Sequence, residues 1–219
     1  MKEIKRQFAL FGNFTKVDFD YVIKLRNELA DFGLIKVGGA PDINIAINNF
    51  PLNNTTLNIR PQLSNLENDI VVFWGTSRIN IDQINIMDDS LEQYKSLIQK
   101  IISLIFSDND FSVNRIALNG NIEFESQNIQ SLFEKFIKKS SLYSSLDEVG
   151  FRINSCIFDQ NINNSLNRII TVQNNGNKIT GLYDYNTKVL NDRKYSIEDV
   201  QHFINSALKY RDMFLTQLN

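Results

Sequence analysis

Cys156 and His202 each occur once in the chain, and a thiol beside an imidazole is the pair from which a nucleophile and its base are made. Their surroundings lend the pairing little support. Cys156 follows Asn154 and Ser155 in a segment that reads as a strand, where a small half-buried thiol is ordinary. His202 falls opposite the apolar stripe of Phe203, Ile204 and Leu208, which makes it an exposed helix residue. For a metal, one histidine and one cysteine leave only carboxylates, and Asp88, Asp89, Asp108 and Asp110 sit where helix capping and loop solvation account for them. No metal site and no cofactor are expected. Gly38 and Gly39 suggest a phosphate loop, but neither a Gly-Lys-Ser/Thr run nor a helix follows them, and the nucleophile-elbow, zinc-protease and dinucleotide patterns do not occur.

Arginines and amides offer more. Four alternating segments place Arg60, Arg78 and Arg115 in phase with Asn44, Asn48, Asn58, Asn80, Asp82, Asn119 and Asn121, so neighbouring strands would gather them on one sheet face. The all-apolar run at 70–74 must add a pair of large groups to that face, either Val71 and Phe73 or Val72 and Trp74; parity through Gly75 leaves both pairs open. A helix or loop covering this face is the plain alternative. The functional alternative takes Arg60, Phe73, Trp74, Arg78 and Arg115 as a partner- or ligand-binding set, because arginine and aromatics dominate interface hot spots and arginine forks grasp anions.

These residues need elements to hold them. Residues 5–14 read as a first strand. Asp18 caps a helix to about residue 32, with an apolar stripe of Phe19, Val22, Ile23, Leu25, Leu29 and Phe32, and Gly33 suits the position just past its end. Gly38 to Pro41 reads as a loop. Segments at 43–47, 57–60, 70–74 and 78–86 then follow at spacings that imply an antiparallel meander. Asp89, with Glu92 three positions on, opens the most hydrophobic helix, in which Leu91, Tyr94, Leu97, Ile98, Ile101, Ile102, Leu104 and Ile105 leave little for solvent. Residues 70–106, a core hairpin with its covering helix, are the part around which the rest is organised.

A long strand at 113–124, in which Gly120 marks a bulge, leads to a helix at 128–139 and a strand at 149–158. The Asn-Gly pair at 175–176 suits a type I′ turn between strands at 166–173 and 178–185. Ser196, with Asp199 three residues on, starts a last amphipathic helix. The expected fold class is α+β: a largely antiparallel twisted sheet or sheets with about four helices, the last closing the C-terminus. One domain over residues 1–219 is expected, within which residues 1–110 and 111–219 read as two loosely similar halves.

The 219 residues are 42% hydrophobic and 22% charged, with sixteen Phe, a composition that supports a real core and argues against disorder. The net charge of −2 is spread without blocks, so no footprint for nucleic acid or anionic lipid is visible. Lys135, Lys138 and Lys139 cluster on a predicted helix and read as its solvated end. A single cysteine excludes an intrachain disulfide and fits a reducing cytoplasm. The apolar run 8–11 is too short for a membrane span or a signal-peptide core.

Taken in order, the run from Leu57 to Pro61, the strand at 70–74 before a long helix, Arg115 to Asn119 with Asn121, and Gly181 to Tyr185 before a closing helix resemble a family of uncharacterised, sporadically distributed prokaryotic proteins of similar size. The resemblance implies an α+β fold and scattered inheritance consistent with mobile-element or anti-phage gene neighbourhoods; it carries no catalytic residues. The resulting expectation is a non-enzymatic interaction or accessory protein, with a protein partner or self-association. The alternative is an enzyme or small-ligand protein with an arginine-lined pocket for an anion.

Overall fold

The computed structural model describes residues 2–44, 56–67, 69–87, 90–108, 111–124, 150–175 and 178–218. Its strands are β1 (Lys2–Asn13), β2 (Lys36–Asn44), β3 (Thr56–Ser64), β4 (Ile70–Trp74), β5 (Arg78–Ile84), β6 (Ser112–Phe124), β7 (Gly150–Asp159), β8 (Asn164–Asn175) and β9 (Lys178–Thr187). Three α-helices are described: α1 (Phe19–Glu28), α2 (Leu91–Phe106) and α3 (Ile197–Leu218). The protein is α+β, with all nine strands in one sheet of order β2-β3-β4-β5-β1-β6-β9-β8-β7. Every neighbouring pair is antiparallel, so β1 and β6 stand side by side in the middle and two meanders run outward from them.

Register explains why one face is dry. Phe8 stands opposite both Ile81 and Leu118, Ile81 opposite Val72, and Leu118 opposite Tyr185; each is buried. The helices lie against this face. Tyr94, Leu97, Ile98, Ile101, Ile102 and Ile105 of α2 are all buried, each contributing about 1.5–3 kcal/mol by leaving water. Phe203 and Phe214 of α3 meet the rings of Tyr185 and Tyr183, at 5.2 Å and 6.4 Å between centroids.

Local chemistry sets the helix ends. Asp18 caps α1 by accepting from the Tyr21 N–H at 2.8 Å. The helix stops at Glu28, short of the expected residue 32, and a 3₁₀ turn (Ala30–Phe32) carries the chain to Gly33 at φ 72°. Ser196 and Asp199 form a reciprocal capping box, Ser196 N–H to Asp199 Oδ2 at 2.9 Å and Asp199 N–H to Ser196 Oγ at 3.2 Å.

Two expectations change. Gly38 to Pro41 is not a loop but the middle of β2, paired residue for residue with β3. Proline is tolerated there because β2 is the edge strand among the described residues, where no second set of hydrogen bonds is made. Gly120 is not a bulge, since it pairs regularly with Arg6; a Cβ there would lie 2.5 Å from the Tyr183 hydroxyl, so the glycine makes room for a ring. The irregularities fall elsewhere: Ile4 is an extra residue on β1 between the pairs Glu3 with Ile122 and Lys5 with Asn121, and Asn114 is one on β6 between the pairs Phe11 with Arg115 and Gly12 with Val113. The expected helix at 128–139 with its lysines, the capping residue Asp89 and the Gly176-Asn177 half of the predicted turn lie outside the described residues.

Candidate functional site

Strand alternation sends every second residue to the face opposite the helices. On β1 these are Gln7, Ala9 and Phe11; they stand opposite Asp82, Asn80 and Arg78 on β5 and Asn119, Ala117 and Arg115 on β6. Phe73 of β4 is opposite both Asn80 and Gln62, and Arg60 lies two residues before Gln62 on the same face. Sequence reasoning missed Phe11 and Gln7. The phase of β1 could have revealed them, because Phe8 and Leu10 claim the core and leave Phe11 on the other side.

At the centre of this open face, Phe11 stands between two guanidinium groups, with Arg78 4.8 Å and Arg115 5.0 Å from its ring centroid. Arg60 takes the same position over Phe73 at 5.9 Å. Such stacks hold a cation over the negative face of a ring. Arg78 donates to Asn80 Oδ1 and, at 2.8 Å, to Gln7 Oε1. Arg115 reaches Asn186 Oδ1 at 3.5 Å, and its buried Nε has no acceptor. The nearby carboxylate, Asp82, is already engaged by Gln7 at 2.6 Å and by Lys5 at 3.3 Å. Partial burial pushes the Arg78 guanidinium below its ordinary pKa, and Arg60 and Arg115 add to this while Asp82 opposes it. Among the described residues neither Arg78 nor Arg115 makes an ion pair; their partners are neutral amides.

A second polar cluster lies under the helices. The β1 bulge turns Glu3 and Arg6 to the same face although they are three residues apart. There Glu3 accepts from Arg211 of α3 at 2.5 Å and from the Tyr183 hydroxyl. Arg6, 1% exposed, sits 3.5 Å from Glu3, 3.3 Å from Ser90 Oγ and 5.4 Å from the Tyr94 ring centre. Burial pushes Arg6 below its ordinary pKa. It acts the same way on Arg211, but the hydrogen bonds and charge of Glu3 outweigh it and lift that group above its ordinary value.

The candidate residues therefore divide. Arg60, Phe73, Arg78 and Arg115 share the open face. Trp74 does not: it is 0% exposed on the helix side, edge-on to Tyr21 of α1 at 6.3 Å, so the large pair among the polar groups is Val71 and Phe73. Asn80, Asp82, Asn119 and Asn121 belong to the open face, whereas the side chains of Asn44, Asn48 and Asn58 lie outside the described residues. Cys156 is exposed rather than half-buried. It lies on the open face, two residues along from Asn154, whereas His202 is half-buried on the helix side beside Asp159 at 3.3 Å, Asn161 at 3.1 Å and Ser206 at 3.4 Å. The sheet stands between thiol and imidazole, and no nucleophile–base pair forms. No group of three or more metal-ligating side chains occurs among the described residues, and no described helix is long and apolar enough to cross a membrane.

The chain matches no known protein-family model, and no curated protein matches it.

Proposed function

We propose that this protein acts by binding, as an interaction or accessory protein, and that the open sheet face centred on Arg78, Phe11 and Arg115 receives an acidic segment of a protein partner. One observation carries the reading: two half-buried guanidinium groups hold a ring between them and, among the described residues, donate only to amide oxygens, while the adjacent carboxylate is occupied. A partner's carboxylate would supply the charge-assisted hydrogen bonds that Asn and Gln supply only weakly. Phe73, stacked under Arg60, adds an aromatic anchor at the edge of the patch. The surrounding amides of Gln62, Asn80, Asn119 and Asn121 suit backbone or side-chain contacts at a polar rim.

The second reading, a small anionic ligand, draws on the crowding of Arg60 and Arg115 around Arg78, which adds to burial in depressing that guanidinium. The two separate in one experiment. A photo-crosslinking residue in place of Phe73, expressed in the native cell, should capture one protein, and Arg115→Gln in the same background should abolish the adduct without changing the melting temperature. Absence of any adduct, together with a melting-temperature increase in phosphate or citrate that Arg115→Gln removes, would instead establish the small-anion reading.

A further inference from the structure

The two edges of the sheet are built differently. β2 carries Pro41, which has no N–H to offer, and the flexible pair Gly38-Gly39; these blunt an edge against pairing. At the other end, β7 is ten residues long with the sequence GFRINSCIFD. It contains no proline and no lysine, and its charges are Arg152 and, at its last position, Asp159. Along it Ile153 is 38%, Ile157 37% and Phe158 61% exposed. Among the described residues only β8 pairs with it, so no described strand meets its second row of backbone N–H and C=O groups. An edge of this kind is a template for another strand.

We propose that the occupant is a second copy of this chain, joined β7 to β7 in antiparallel register about a two-fold axis through Ser155. Such an axis stands perpendicular to the sheet and keeps each face continuous across the join, so paired residues must share a face. Odd residues of β7 lie with Phe151 on the helix side and even ones with Cys156 on the open side. Centring the axis on Ser155 sets Ile153 opposite Ile157 of the second copy on the helix side, and Arg152 opposite Phe158 on the open side. Each pair occurs twice: β-branched residues meet directly across strands, and a cation meets an aromatic face. Centring it one residue earlier, on Asn154, keeps about the same overlap but sets Ile153 against Ser155 and Phe158 against Gly150, and loses both matches. One strand edge buries less than the ~800 Å² per partner of a standard interface, so the dimer is concentration-dependent and strengthened by the extension of two nine-stranded sheets into one. This dimer is independent of the open-face partner.

The register gives the test. Asn154 stands directly opposite Cys156 of the second copy, within disulfide reach, whereas the two Cys156 residues are diagonal neighbours roughly 7–8 Å apart, too far to bridge. Within one chain, positions 154 and 156 are also about 6.8 Å apart along the strand, so they cannot close on each other. Sedimentation across a micromolar concentration series should show a monomer–dimer equilibrium for the full-length protein. Ile157→Lys, at an exposed site, should weaken it by about tenfold or more with an unchanged circular dichroism spectrum, and Arg115→Gln should leave it intact. Mild oxidation should convert Asn154→Cys, but not the parent, to a covalent dimer. A monomer at every concentration overturns the proposal, as does a dimer that Ile157→Lys leaves intact or that Asn154→Cys fails to lock.

Discussion

Under the helices Arg6 and Arg211 converge on one carboxylate, Glu3, whereas on the open face Arg78 and Arg115 converge on one ring, Phe11. Glu3, Arg6 and Phe11 all belong to the central strand β1, and Arg78 and Arg115 flank it on β5 and β6. Arg6 is cut off from water and the Arg211 side chain is only 12% exposed, and a charge so buried persists only when an opposite charge and hydrogen bonds compensate it. The outer pair keeps partial access to solvent, so water and amides suffice while no anion is bound. The same residue type is structural on one side and available for recognition on the other, and solvent access makes the difference.

Breaking the inner pair should cost most. Glu3→Gln leaves the buried Arg6 without its counter-charge and Arg211 with only the exposed Asp212, 2.5 Å away, and a loss of about 3–5 kcal/mol is expected, read from urea unfolding. Chain neighbours should diverge almost as sharply. Trp74→Ala opens a cavity beneath α1 and should cost about 3–5 kcal/mol; Phe73→Ala, on the open face, should cost less than about 1 kcal/mol while weakening partner capture. If the two substitutions prove equally disruptive, the contrast between the faces fails.

The tyrosines of the helix side sharpen the comparison through pH. Burial raises Tyr94 and Tyr183 well above the ordinary phenol value, and raises Tyr21 and Tyr185 to about 12. Below about pH 10 both folded and unfolded chains keep these protons, and stability does not respond to them. Above it the unfolded chain ionises first and binds fewer protons, so stability should fall as pH rises through the window up to about 12 and beyond. The urea midpoint should stay flat up to about pH 10 and decline after it; a midpoint that rises across this window would contradict the burial of these hydroxyls.

A smaller effect is expected at Gly120, where an added methyl meets the Tyr183 ring. Gly120→Ala should cost about 1–3 kcal/mol by overpacking, with Tyr183→Phe in the same chain failing to relieve the clash fully because the ring remains. Smallest in stability is Arg115→Gln, with a change under about 1 kcal/mol but at least a tenfold loss of partner affinity, about 1.4 kcal/mol. A large loss of stability there would assign Arg115 to the fold instead.

Much of the framework was legible. The stripe from Tyr94 to Ile105 announced α2, the Ser196–Asp199 spacing announced the cap of α3, and alternation through Arg78, Asn80 and Asp82 placed those three on one face. Other features were hidden for identifiable reasons. Gly38 to Pro41 looks like a loop because glycine and proline disfavour strands in general, yet an edge position removes the penalty. Charged residues read as exposed, so Glu3 and Arg6 gave no warning of burial; a bulge at Ile4 was needed to bring both to one side.

By itself, the sequence determined which side chains travel together, because a strand or helix repeats its geometry every two or 3.6 residues and phase within one element follows from spacing alone. It could not determine the phase between elements. Whether Phe73 or Trp74 joins the arginines depends on how the turn at Gly75 resets the alternation, and whether Glu3 meets Arg211, 208 residues away, depends on where α3 docks. Those choices were made by the tertiary structure, where burying Trp74 beneath α1 and pairing Glu3 with Arg211 are contacts between distant parts of the chain that no local periodicity encodes.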